Sequence, residues 1–274
     1  MKVKNILNET AIAIQGNLNQ YNLDVIKLVC KNNKNLFKQF NMVTTIFNKS
    51  VGVDDSDMSN LNKLLKENYN CFTLIDWANR GHQFGYIDLD KSLFSFIKDN
   101  FNHIKYIFKV DADYLVKENF LELEIDEDTD FFYQPSINIP DLHKYGDNES
   151  YYNNFIKDDY EDIRCPQANN YIMSTKINFP YEKSDDIKKA YDKWIEKGYT
   201  KVNQNIAIAC EHSLSKSIKR NNFKRQMMFT KETFFKVMDF IVKNNIGDTT
   251  LKNIYLSDIG FCHWQFPNQE VITC

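Results

Sequence analysis

The chain has 274 residues, of which 43% are hydrophobic and 26% charged, an ordinary balance for a folded soluble protein. With 21 Phe and 15 Tyr there is ample apolar volume for a core, which excludes intrinsic disorder. A formal net charge of −3 leaves no global basic field and so argues against a nucleic-acid-binding protein.

Six cysteines (Cys30, Cys71, Cys165, Cys210, Cys262 and Cys274) are scattered with no CxxC pair, which argues against a zinc site and against a dense disulfide framework. The start, Met1 to Asn5, leads into no long apolar run, so neither a secretory signal nor a membrane span is read, and a cytoplasmic setting is expected. One local basic run, Lys216 to Arg225, is read as a helix and the turn after it. It is either a solvated helix face or a contact for phosphate or the surface of a membrane.

In chain order, Thr10 to Gln15 reads as a buried strand ending at Gly16 and Asn17, and Leu23 to Lys34 as a helix with Val25, Ile26, Leu28 and Val29 apolar. Met42 to Phe47 is a second strand, and Met58 to Glu67 a helix with Leu61, Leu64 and Leu65 on one face. Cys71 to Ile75 is a third strand, Leu89 to Ile97 part of another helix, and Tyr106 to Val110 a fourth strand running into Asp111. Strands alternating with helices in this way predict an α/β fold with a mostly parallel sheet covered on both faces. Ligands of such sheets bind at the carboxyl ends of the strands.

All five prolines follow residue 134, where the texture of the chain changes. Asp130 to Tyr133 and Tyr171 to Thr175 are expected strands, separated by a long polar segment, Pro140 to Pro166. A loop of that length suits a lid or a substrate-binding element. Helices are predicted at Ser184–Lys197, Asn203–Arg220 and Lys231–Asn244, with strand and loop over Ile254 to Thr273. No repeat or low-complexity linker interrupts the chain, so a single domain over 1–274 is expected.

The sharpest chemical signal is Tyr106-Ile-Phe-Lys-Val-Asp111-Ala-Asp113. An apolar strand there delivers two carboxylates, one residue apart, to the carboxyl edge of the sheet. Such oxygen donors suit Mg2+ or Mn2+, and a metal bridging a diphosphate would offset charge on a leaving group. The alternative is an Asp pair capping a turn.

The order of elements up to Asp111-Ala-Asp113 resembles the N-terminal half of GT-A glycosyltransferases. Asp76-Trp-Ala-Asn79-Arg80-Gly81, a helix and the strand into Asp111 are similar to the Asn-x-Gly…DxD pattern of family-2-type enzymes. The opening Ala11-Ile-Ala-Ile-Gln15-Gly16 is similar to the first strand of lipopolysaccharide-type transferases. The likeness covers about residues 10–120. It implies a GT-A fold with a nucleotide-sugar-binding half over 1–130, and an acceptor-binding half with C-terminal helices over 131–274. It implies a Mn2+- or Mg2+-dependent transfer of sugar from a nucleotide-diphosphate sugar to a glycan or other hydroxyl acceptor, in surface-polysaccharide or glycoprotein glycan synthesis.

Carried over, the resemblance puts Asp111 on the ribose and metal side and makes Asp113 the more direct metal ligand. Gln15, Gly16 and Asn17 would lie against base and ribose, Asn48, Asp76 and Asn79 would complete the nucleoside pocket, and Arg80 would meet a phosphate. For each of these polar residues, capping of its own loop is the competing role. His263, in an apolar tail segment, resembles the C-terminal histidine that many GT-A enzymes supply as a third metal ligand; a histidine packed in an aromatic core is the other reading.

For the base that an inverting reaction requires, Glu211 late on its helix is one candidate, and Asp162, among Asp158, Asp159 and Glu161 in the polar segment, is another. Val202-Asn-Gln204-Asn205 is similar to the helix start of surface-polysaccharide transferases, with Asn203 where their acid would stand. Tyr145, Tyr151, Tyr152, Phe155 and Tyr160 suit stacking on an acceptor sugar, or packing beneath a loop.

Three other functions compete for this sequence. A sugar-nucleotide pyrophosphorylase would show a glycine run and an arginine after the first strand, where this chain reads Gly16-Asn-Leu-Asn-Gln-Tyr21. A metal-dependent nuclease would need a basic surface. A catalytically inactive nucleotide-sugar or glycan-binding protein would have less use for Asp111 and Asp113 together.

Overall fold

The structure is a computed structural model that describes residues 1–19, 23–49, 52–69, 71–74, 85–133, 170–178, 221–228 and 261–263, and the single positions Asp192, Glu196, Ile218 and Glu232. Strand β1 spans Thr10–Leu18, β2 Met42–Lys49, β3 Cys71–Leu74 and β4 Tyr106–Asp111. Helices α1 (Leu23–Asn32), α2 (Lys34–Phe37), α3 (Asp55–Asn68) and α4 (Gly85–Asn100) lie between them in sequence. The later strands are short: β5 Tyr114–Val116, β6 Phe131–Tyr133, β7 Tyr171–Ser174, β8 Arg225–Met227 and β9 Phe261–His263.

Among the described residues the main sheet has seven strands in the order β3-β2-β1-β4-β7-β6-β8, and β5 pairs with β9 in a separate ribbon. Six strands of the main sheet run in one direction and β7 opposes them. The chain is therefore an α/β protein with a mostly parallel sheet and flanking helices, as its alternation of periods predicts.

Two apolar layers sandwich the sheet. On one face Leu23, Ile26 and Cys30 of α1 and Met58, Leu61 and Leu65 of α3 pack with Ile12, Ile14, Val43, Phe108 and Val110. On the other, Leu89, Leu93, Phe94 and Ile97 of α4 pack with Ala11, Ala13, Ile46, Ile107, Tyr171 and Met173. The alternation along β4 follows directly, because successive strand residues face opposite layers. The start of α3 is set by a reciprocal cap: Asp57 N–H donates to Asp54 Oδ1 at 2.8 Å and Asp54 N–H to Asp57 Oδ2 at 3.3 Å.

Several boundaries differ from expectation. β1 does not end at Gly16 but continues to Leu18, because β2 keeps it in register through Asn17↔Asn48 and Leu18↔Lys49. Gln15, Gly16, Asn17 and Asn48 consequently belong to strands, not to the loops after them. The helix expected over Leu23 to Lys34 breaks at Asn33 into α1 and α2. Within the basic run, Ile218 is helical and residues 221–222 form a turn, but Arg225 opens β8. Of the three later helices only isolated positions are described, all helical; the rest of 184–197, 203–220 and 231–244, and the polar segment 140–166, lie outside the described residues. Among the described residues, no helix is long and apolar enough to cross a membrane.

Candidate functional site

The crossovers from β1 lead first to β2 and β3 on one side of it, whereas β4 lies on its other side. The strand order thus reverses between β1 and β4, and the crevice beyond the carboxyl ends of two such strands is where open α/β sheets bind ligands. Gln15 and Asp111 face each other across that point in the parallel register. The ladder extends one step further, with the Ala112 amide donating to the Gln15 carbonyl at 3.0 Å. The Asp111-Ala-Asp113 turn is therefore tied to β1.

Gly16 explains itself by packing. A Cβ added there would lie 2.8 Å from the Ala112 Cβ and 3.3 Å from the Phe47 ring. The absent side chain lets the DxD turn sit against β1. Gln15 is 3% exposed and shares the face of Ala11 and Ala13, so it is buried on the α4 side of the sheet.

Asp113 is followed at once by β5, and β5 pairs antiparallel with β9 so that Tyr114 lies opposite His263. The backbone of the tail segment thus reaches the residue next to Asp113. The side chains of His263, Asn17 and Asn48 lie outside the described residues, as do Asp76, Asn79, Arg80, Asp162 and Glu211 altogether. Asn33, in the break between α1 and α2, fixes β5 from the other side. Its Nδ2 donates to the Tyr114 carbonyl and its Oδ1 accepts from the Val116 amide, both at 2.9 Å.

Beneath Asp111 is a group that sequence reasoning passed over. Lys109, in β4, is fully buried and its ammonium bonds Asp111 Oδ1, while the Asp111 side chain keeps 20% exposure. Asp90 of α4 is also fully buried, and among the described residues neither of its oxygens has a hydrogen-bond partner. Burial pushes the Asp90 carboxyl up to about 7; Lys109 draws it down and Asp111 raises it further. Tyr171 stands opposite Lys109 on β7, its ring edge-on to Phe94 at 6.3 Å. Burial, then Asp90 and Asp111, raise its hydroxyl well above the usual tyrosine range. The signal available in the sequence was a lysine between Phe108 and Val110 in a strand predicted to be buried.

Among the described residues no three His, Cys, Asp or Glu side chains form a metal-holding group. Two partly exposed carboxylates still fit Mg2+ or Mn2+ in a nucleotide site, because such ions commonly take one or two protein carboxylates and complete their shell with phosphate and water. Asp111 and Asp113 are the residues that would hold the ion, and it would supply charge to a diphosphate. No family model matches this chain, and no curated protein matches it either.

Proposed function

We propose that the chain is a metal-dependent glycosyltransferase of the GT-A type, moving sugar from a nucleotide-diphosphate sugar to a glycan or other hydroxyl acceptor. The observation that carries this reading is the position of Asp111 and Asp113 at the carboxyl end of β4, beside the reversal in strand order between β1 and β4. The reversed β7 next to β4, and the β9 backbone opposite Tyr114, support it further. In this reading Asp111 and Asp113 hold Mn2+ or Mg2+ on the diphosphate, and His263 is the third ligand. Gln15, Gly16, Asn17 and Asn48 at the ends of β1 and β2, with Asp76, Asn79 and Arg80, border the nucleoside and phosphates. Glu211 and Asp162 remain the candidates for the base.

Calorimetric titration with UDP and with GDP, each with and without Mn2+, tests the proposal on the wild type and on Asp113→Ala. One nucleotide is expected to bind only with Mn2+, and the variant is expected to lose that binding. Metal-independent binding that survives in Asp113→Ala would move the reading to an inactive nucleotide-sugar-binding protein. No binding of either nucleotide under any condition would overturn the assignment of the site.

A further inference from the structure

We propose that Lys109 is a positioning residue, which fixes the Asp111 carboxylate at the carboxyl end of β4. The inference rests on the reading of Asp111 as part of the donor site, and it concerns what holds that side chain in place.

Two elements of one core layer, β4 and α4, each carry a buried charged residue in an otherwise apolar stripe. β4 runs Ile107, Phe108, Lys109, Val110, all buried, so Lys109 occupies a place where a branched aliphatic would cost nothing. The core-facing stripe of α4 is Leu89, Leu93, Phe94 and Ile97, and Asp90 lies within it, fully buried. A buried ammonium or carboxylate is costly unless it is paired. A fold that needed only packing here would be served better by two apolar side chains, and departures of this kind gather at functional sites.

The orientation of the pair gives the departure its purpose. Lys109 and Asp111 are two residues apart on one strand and share the α4 face, so the ammonium can meet the carboxylate without leaving the core. Lys109 is anchored in the interior, whereas Asp111 is partly exposed. The bond therefore joins a fixed group to one at the crevice and restricts the carboxylate to one orientation. Tyr171 of β7 stands opposite Lys109 in the antiparallel register and closes that side. Outer groups that orient a metal-binding carboxylate in this way matter nearly as much as the ligands.

The test compares wild type with Lys109→Met and with Lys109→Met/Asp90→Leu by thermal unfolding, Mn2+–nucleotide titration and crystallography. The single variant leaves Asp90 as a buried carboxyl in an otherwise apolar layer and is expected to melt below wild type. The double variant replaces both buried charged residues by apolar side chains and is expected to melt near wild type. It should nevertheless bind the Mn2+–nucleotide roughly 10- to 100-fold more weakly, with Asp111 in more than one side-chain conformer. A double variant with wild-type affinity, or with Asp111 held in its wild-type conformer, overturns the proposal. If the wild type itself binds no nucleotide, it is the transferase reading that fails, and the Asp111 conformers alone decide the role of Lys109. If neither variant folds, the wild-type crystal structure decides: an ammonium of Lys109 turned away from Asp111 overturns the proposal, and one bonded to it in a single conformer supports it.

Discussion

Asn33 reaches across 81 residues of sequence to hold Tyr114, its Nδ2 donating to the tyrosine carbonyl at 2.9 Å from the break between α1 and α2. The same side chain accepts the Val116 amide, so one amide group spans both ends of β5. An asparagine suits this place because it alone pairs a donor and an acceptor in one short planar group. The strand it fixes follows directly on Asp113, so a packing detail in the α1–α2 corner sets where the DxD turn ends.

Replacing Asn33 by Leu keeps the branching of the side chain and removes both hydrogen bonds. The expected cost is about 2–4 kcal/mol, from the loss of the two bonds and the desolvation of the backbone groups they served. Urea unfolding of Asn33→Leu measures it. A loss within about 0.5 kcal/mol, the range of ordinary surface substitutions, would mean that β5 is held by other contacts.

Gly16→Ala tests how closely the DxD turn lies on β1. The new Cβ would overlap the Ala112 Cβ at 2.8 Å and press on Phe47 at 3.3 Å. Both are carbon atoms of short or packed side chains, so the turn or the strand must shift, at a cost of roughly 1–3 kcal/mol. The same shift moves Asp111 and Asp113, so Mn2+-dependent nucleotide binding is expected to fall together with stability. A variant that is destabilised but binds as the wild type does would separate the turn from the site.

Asp90 makes stability depend on pH. Its carboxyl titrates near 7 in the fold, against 3.8 as the ordinary value, because it is buried; Lys109 opposes the rise and Asp111 adds to it. Below the ordinary value both states carry the proton and the group costs nothing. Between 3.8 and about 7 the unfolded chain loses its proton first, so stability falls as pH rises, and above that window the loss is complete. Asp90→Asn keeps the shape and abolishes the titration. Wild-type stability relative to this variant is therefore expected to drop across that window by up to roughly 4 kcal/mol. A difference that stays flat in urea unfolding at pH values spanning the window would show that Asp90 is not buried as an isolated carboxyl.

The four strands of the parallel half and the helices between them were legible because each is long enough to show its period. β1, β2 and β4 are dominated by apolar and β-branched residues, with Lys109 the one charge inside β4, and α1 and α3 repeat their apolar residues every three or four positions. β5 and β8 have three residues each, too few for an alternation to register, whereas the equally short β6 was legible as the aromatic run Phe131-Phe132-Tyr133. The candidate site was legible in its position: Asp111-Ala-Asp113 falls at the carboxyl end of β4, as the sequence predicts. Its support was not: Lys109 reads as one polar residue in a buried strand, Asp90 as a solvated carboxylate on a helix, and Asn33 as part of a continuous helix. Asn33 takes its role from Tyr114, 81 residues away, Asp90 from its burial in the core, and Lys109 from Asp111 two residues on once the strand is buried, and all three arise only on folding.

His263 is where two readings of the tail give opposite results. The β9 backbone pairs His263 with Tyr114, so the tail arrives one residue from Asp113, and a histidine there can complete an oxygen-rich Mn2+ site. As a ligand, it would be dispensable to the core: His263→Ala should weaken Mn2+ binding about tenfold or more, near 1.4 kcal/mol, with unfolding within about 0.5 kcal/mol of wild type. As a histidine packed among the aromatic residues of the tail, it would leave Mn2+ affinity unchanged and its removal would lower stability by more than that. Mn2+ titration and urea unfolding of the one variant distinguish the two, because a ligand and a core residue lose different quantities when the ring is removed.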